Sequence, residues 1–169
     1  MRLITTICCS CFSLMLIAQD TLLAVYGNVL EAVSGDPIGL AQVAAYQPGD
    51  SSTAIHTHTA SDGSFLLGIM EKGEHVIEFS ADGHVSKRVL VVVEGPTPAQ
   101  WRRGYGLSLE MSLFKDLPDL DLSLENRPVG KAVYDRATDV FIWDRGYGHD
   151  LRDRQRDLLR TYKQQLRKG

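Results

Sequence analysis

From Leu22 to about Val93 the chain consists of short apolar runs, broken by turn residues every 8 to 12 positions. No other feature constrains the fold as much. Runs this short favour strands over helices, and successive side chains on a strand point to opposite faces. Regular turn punctuation then points to an all-β sandwich.

The first strand is "AVYGNVLEAV", residues 24–33, with Val25, Gly27, Val29 and Glu31 on one face. "SGDP", residues 34–37, reads as a turn, because Asp tolerates unusual backbone angles and Pro presets the next φ. "AQVAAY" (41–46) sets Ala41, Val43 and Ala45 against Gln42 and Ala44. "TAIHTHTA" (53–60) is a polar strand, and "SFLLGI" (64–69) a fourth. Between these two, "SDG" has the Asp-Gly signature of a hairpin turn. In "EHVIEFSA" (74–81), His75, Ile77 and Phe79 share one face. "VSKRVLVVVE" (85–94) is β-branched and reads as a central strand.

"GPTPAQWRRGYG" (95–106), with two prolines and three glycines, reads as an irregular connection. "LSLEMSLF" (107–114) alternates fully, with Leu107, Leu109, Met111 and Leu113 inward, and closes a seven-strand sandwich. An acidic linker is expected over 115–128. A hairpin should follow within "GKAVYDRATDVFIWD" (130–144). Leu151, Leu158, Leu159, Tyr162 and Leu166 then form one stripe of an amphipathic helix, with Asp150 as the expected N-cap. The sequence thus divides into four parts: a signal peptide (1–18), a sandwich (19–114), a linker (115–128) and a hairpin with a basic helix (129–169).

The first part rests on "MRLITTICCSCFSLMLIAQD". One basic residue, an apolar run to Ala18 and a small residue at the cut have the layout of a secretory signal. The run is short for a membrane span, so no span is expected in the mature chain. Cys8, Cys9 and Cys11 all lie inside it. The exported chain would then hold no cysteine and depend on core packing alone, which suits a bacterial envelope better than a disulfide-stapled domain. Charge is uneven. Residues 19–125 carry 6 Lys/Arg against 15 Asp/Glu, whereas residues 126–169 carry 11 against 6. A basic tail suits an acidic partner or its own acidic sandwich, and an exported chain has little occasion to meet nucleic acid.

Candidate chemistry is sparse. His56 and His58, two apart on a strand, face the same way and are the weak metal candidates, with His75, His84 and Asp62 as possible further ligands. Nothing in their spacing specifies a third ligand. "GDSS" (49–52) lacks the turn and helix of a hydrolase serine motif, and Asp116, Asp119 and Asp121 read as a solvated linker. No catalytic residue and no cofactor are assigned. The contact candidates are Trp101, Arg102, Arg103 and Tyr105 in "WRRGYG", and Trp143 and Tyr147 in "WDRGYG". Trp, Tyr and Arg are favoured where binding energy concentrates.

The segments "VYGNVLEAVSGDPIGLAQVAAY", "TASDGSFLL" and "KGEHVIEFSADGHVSKRVLVV" together resemble the carboxypeptidase regulatory-like domain, a transthyretin-like β-sandwich. The resemblance is carried by Gly27 and Val29; Gly35 and Pro37; Ala41 and Val43; Thr59, Asp62, Gly63 and Phe65; and Gly73, Ile77, Phe79 and Gly83. His84 stands where that family usually has Tyr. The tail "PVGKAVYDRATDVFIWDRGYG" with its basic helix is similar to the tail of some exported Gram-negative proteins carrying this domain. The resemblance implies a module without zinc ligands or catalytic residues of its own.

The expectation is a non-catalytic binding or assembly module in the periplasm or on the surface of a Gram-negative bacterium. Its partner would be another envelope protein or a glycan. The alternative is a carbohydrate-binding module using Trp101, Tyr105 and Tyr46. A small metal-dependent hydrolase built on His56 and His58 is the third reading.

Overall fold

A computed structural model describes residues 21–117 and 127–167. Among the described residues the nine strands are β1 (Leu23–Glu31), β2 (Gln42–Gln47), β3 (Asp50–His58), β4 (Ser64–Ile69), β5 (Gly73–Ser80), β6 (Lys87–Val93), β7 (Tyr105–Leu113), β8 (Lys131–Asp135) and β9 (Val140–Trp143). Two helices, α1 (Pro98–Trp101) and α2 (His149–Leu166), complete the set. The strands form a sandwich of one three-stranded sheet, β4-β1-β7, and one six-stranded sheet, β3-β2-β5-β6-β8-β9.

The inward faces are those the alternation marks. Val25, Val29, Leu107 and Met111 of the small sheet meet Val43, Ile77, Phe79, Val89 and Val91 of the large one. Phe65 and Phe79 lock edge to face across the gap, ring centres 5.4 Å apart. Each such side chain, fully buried, contributes about 1.5–3 kcal/mol. β6 is central, flanked by β5 and β8, and polar β3 is an edge strand.

Local geometry explains several motif residues. At Gly27, paired in parallel with Leu109, an added Cβ would fall on the Leu109 carbonyl. Only glycine lets β1 and β7 approach that closely. Gly63, at φ +75°, sits 2.6 Å (for a hypothetical Cβ) from the Val29 carbonyl oxygen and against Pro37. The "GDP" and "SDG" turns therefore pack on each other beneath β1. Thr59 is buried between them: its hydroxyl donates to the Ile38 carbonyl (2.6 Å) and accepts from the Ala41 amide (2.9 Å).

Four expectations are corrected. The Asp62-Gly63 turn is not a hairpin. β3 pairs with β2 and β4 with β1, so the turn carries the chain from one sheet to the other. A local Asp-Gly signal cannot distinguish these outcomes, because both need the same backbone reversal. The 130–144 hairpin is real, yet it is not a separate unit: β8 runs parallel to β6 and extends the large sheet. Residues 95–106 are not wholly irregular. Thr97 and Gln100 form a reciprocal capping box around α1, with Pro98 in its first turn. Finally, α2 is capped by Gly148 with no side-chain cap bond, placing Asp150 inside the helix. The expected signal peptide and residues 118–126 of the expected linker lie outside the described residues.

α2 docks on the sandwich through a second small core. Tyr162 is fully buried, with Leu158 and Phe114 beside it. The Phe114 and Tyr162 rings meet edge to face at 4.8 Å. Lys87 places its ammonium 4.2 Å from the Phe114 ring centre. The Tyr162 hydroxyl accepts from the Lys115 amide (2.8 Å) and donates a long bond to Glu31 Oε1 (3.5 Å). Among the described residues no helix is long and apolar enough to cross a membrane.

Candidate functional site

The first group of contact candidates divides on folding. Trp101, at the end of α1, is only 6% exposed and belongs to the main core. Its ring packs against Tyr105 (5.4 Å) and Phe141 (6.0 Å). It is therefore a plug for the sandwich end, not a contact surface, and the carbohydrate platform built on it is lost. Its apolar bulk made the core the better place for it, and sequence alone left the two roles open. Arg102 stays exposed.

Arg103 and Tyr105 converge instead on Asp139, which the sequence placed only within the expected 130–144 hairpin. Asp139 holds a left-handed φ of +56° in the β8–β9 turn. Its Oδ1 accepts from the hydroxyls of Tyr105 (2.7 Å) and Tyr134 (2.7 Å) and from Gln100 Nε2 (3.0 Å). Its Oδ2 accepts from Arg103 (2.6 Å). Hydrogen bonds from Tyr134 and Tyr105, with Arg103, outweigh burial and hold the Asp139 carboxyl below the usual aspartate range. Burial and the Asp139 bond push the Tyr105 phenol up to about 12. Four donors from α1, the following loop, β7 and β8 thus meet on one carboxylate. It is a clasp joining α1, β7 and the hairpin.

The second group lies at a cleft. Trp143 lines a depression of about 750 Å³ with Leu107, Ser108, Phe141, Ile142 and Arg145. β7 and β9 are each the last strand of their sheet, and this cleft runs between them. The Trp143 indole N–H donates to the Ser108 carbonyl across it (3.3 Å). On β9, Val140 and Ile142 are 45% and 42% exposed. Tyr147 is half-buried in the following turn, where Asp144 Oδ1 accepts from the Gly146 and Tyr147 amides, and does not line the cleft.

The metal candidates are dispersed. His56 and His58 are exposed on edge strand β3, and His56 Nδ1 pairs with Gln42 Nε2 (3.1 Å). Asp62 Oδ1 accepts the Ser64 amide within its own turn. His75 is buried, and His84 bonds the Asp82 carbonyl. Among the described residues no group of three or more His, Cys, Asp or Glu is placed to hold a metal ion. Ser52 of "GDSS" donates to Asp50 within a tight turn (2.6 Å), and no histidine among the described residues is bonded to it. Asp116 is described, whereas Asp119 and Asp121 lie outside the described residues. Tyr46 stands apart from Trp101 and Tyr105 in the bonding pattern, its hydroxyl donating to Glu78 (2.7 Å), which also accepts from Arg88.

Comparison with family models gives no match, and neither does comparison with curated proteins. Among solved structures, 3-chlorocatechol 1,2-dioxygenase from Rhodococcus opacus 1CP is 12% identical, with a TM-score of 0.40, over 56% of this chain and 60% of that one. A candidate carbohydrate binding protein from Bacteroides uniformis is 10% identical at a TM-score of 0.39, over 54% and 41%. The pilus 2b backbone protein of group B streptococcus is 11% identical at 0.38, over 54% and 40%. The chain thus spans 40% to 60% of these three proteins' lengths, at scores too low to carry an argument about function.

Proposed function

We propose that the protein is a non-catalytic binding module of the Gram-negative cell envelope, built on a carboxypeptidase regulatory-like sandwich. Its task is to hold an extended segment of another envelope protein in the β7–β9 cleft. The observation that carries this is the pair of terminal strands facing one another across an apolar depression. Edge strands are commonly blunted by charge, proline or cover, because an open edge recruits further strands. β9 instead presents Val140 and Ile142, beside Trp143. Main-chain pairing to such an edge supplies affinity, and side-chain pockets supply selectivity.

The saturated Asp139 supports a binding role over a catalytic one, since the most organised polar cluster in the described chain is spent on holding the hairpin in place. Site-specific photocrosslinking in intact envelopes tests the proposal. A photoreactive residue at position 142 should give one discrete adduct, which Val140→Lys abolishes without lowering the melting temperature. Equal labelling from a control position on β3, such as 56, would reject the cleft as the contact surface.

A further inference from the structure

A second cavity, of about 200 Å³, opens where the β2–β3 hairpin meets the β4–β5 turn. Its floor is apolar, formed by Ala45, Ile55 and Ile69. Its rim is rich in acceptors. Asp50 Oδ1 is occupied by the Ser52 amide (3.0 Å) and hydroxyl (2.6 Å), and no described residue bonds Oδ2. Glu71 Oε2 accepts a long bond from Gln47 (3.3 Å), and no described residue bonds Oε1.

His75 also lines the cavity and is only 6% exposed. Its Nε2 lies 3.0 Å from the Glu71 carbonyl oxygen. A carbonyl can only accept, so Nε2 carries the hydrogen of this bond. No described residue bonds Nδ1. A ring nitrogen that no described residue engages, two half-engaged carboxylates and an apolar floor all call for the same guest. It must be small, donor-rich and positively charged on one side, with an apolar flank on the other.

We propose that this pocket binds a single amino-sugar unit with a free amine. The volume holds one ring. The C–H face of the ring lies on Ala45, Ile55 and Ile69, the ammonium faces Asp50 and Glu71, and the ring hydroxyls reach His75 Nδ1 and Thr53. Charge-assisted bonds to the carboxylates provide most of the selectivity. Acidic and phosphorylated sugars are repelled by the same pair. N-acetylation removes the charge that the carboxylates recognise. This site shares no lining residue with the β7–β9 cleft, so it stands or falls independently of the function proposed above.

Titration of the purified full chain with D-glucosamine, D-glucose, N-acetyl-D-glucosamine and n-butylamine, followed by calorimetry, tests it. Glucosamine should bind saturably at one site, and each of the other three about tenfold or more weakly. Asp50→Asn and Glu71→Gln should each weaken glucosamine several-fold, with melting temperatures unchanged because both side chains are exposed. No saturable glucosamine binding, or equal binding by the double variant, overturns the site. Equal affinity for glucose overturns the role of charge, and equal affinity for butylamine overturns the role of the sugar ring.

Discussion

Asp139 shows how a single side chain can be decisive yet silent in sequence. It carries four hydrogen bonds from three elements, at a backbone angle that asparagine also tolerates. Asp139→Asn keeps that angle and removes the charge, so it should loosen the hairpin. Amide hydrogen exchange should accelerate in β8 and β9 and stay unchanged in β1 and β4. Gly27 is the opposite case. It was visible in sequence as a glycine inside an apolar strand, but its reason was not. That reason is the Leu109 carbonyl on β7, more than 80 residues further along the chain. Gly27→Ala forces β1 and β7 apart and should cost roughly 3 kcal/mol, read from chemical denaturation. Trp101 and Tyr105 were legible as important residues; whether they faced solvent or core depended on Phe141, which only the fold brings beside them.

At the scale of elements, the strands and the helix were legible because alternation and the stripe are local properties. How the strands are shared between sheets was not, since a turn signal does not say which strand lies across from which. The helix stripe is confirmed at Leu158 and Tyr162, and docking on the sandwich supplies its energetic meaning. Tyr162→Ala opens a cavity beneath the helix and should cost about 3–5 kcal/mol, as large aromatic deletions do. A chain ending at Asp144 should lose thermal stability in the same direction.

Glu31 adds a pH dependence to this contact. Burial raises its carboxyl, but amide bonds from Ser34 and Val33, with Lys115 nearby, more than compensate and leave it below the usual 4.5. A carboxyl lowered on folding favours the folded state when ionised. Its contribution is therefore present above the ordinary glutamate range and fades as pH falls through the lowered folded value. Glu31→Gln should flatten the acid limb of the stability profile below about pH 4.5 while leaving its neutral-to-basic side parallel to the parent's.

For the molecule as a whole, the acidic front and basic back anticipated from the charge distribution belong to one folded body. β8 joins β6, and α2 covers Phe114, so the C-terminal segment completes the sandwich it follows. The binding candidates were harder to read because a cleft between β7 and β9, or a pocket under a β2–β3 hairpin, is a property of distant strands brought together. The two tryptophans, the only ones in the chain, stand in contrasting places: Trp101 inside the core and Trp143 at the cleft. The protein thus contains its own pair of optical reporters. A collisional quencher should reach Trp143 and spare Trp101, so the accessible fraction of emission follows occupancy of the cleft, while the shielded fraction changes only when the sandwich itself opens.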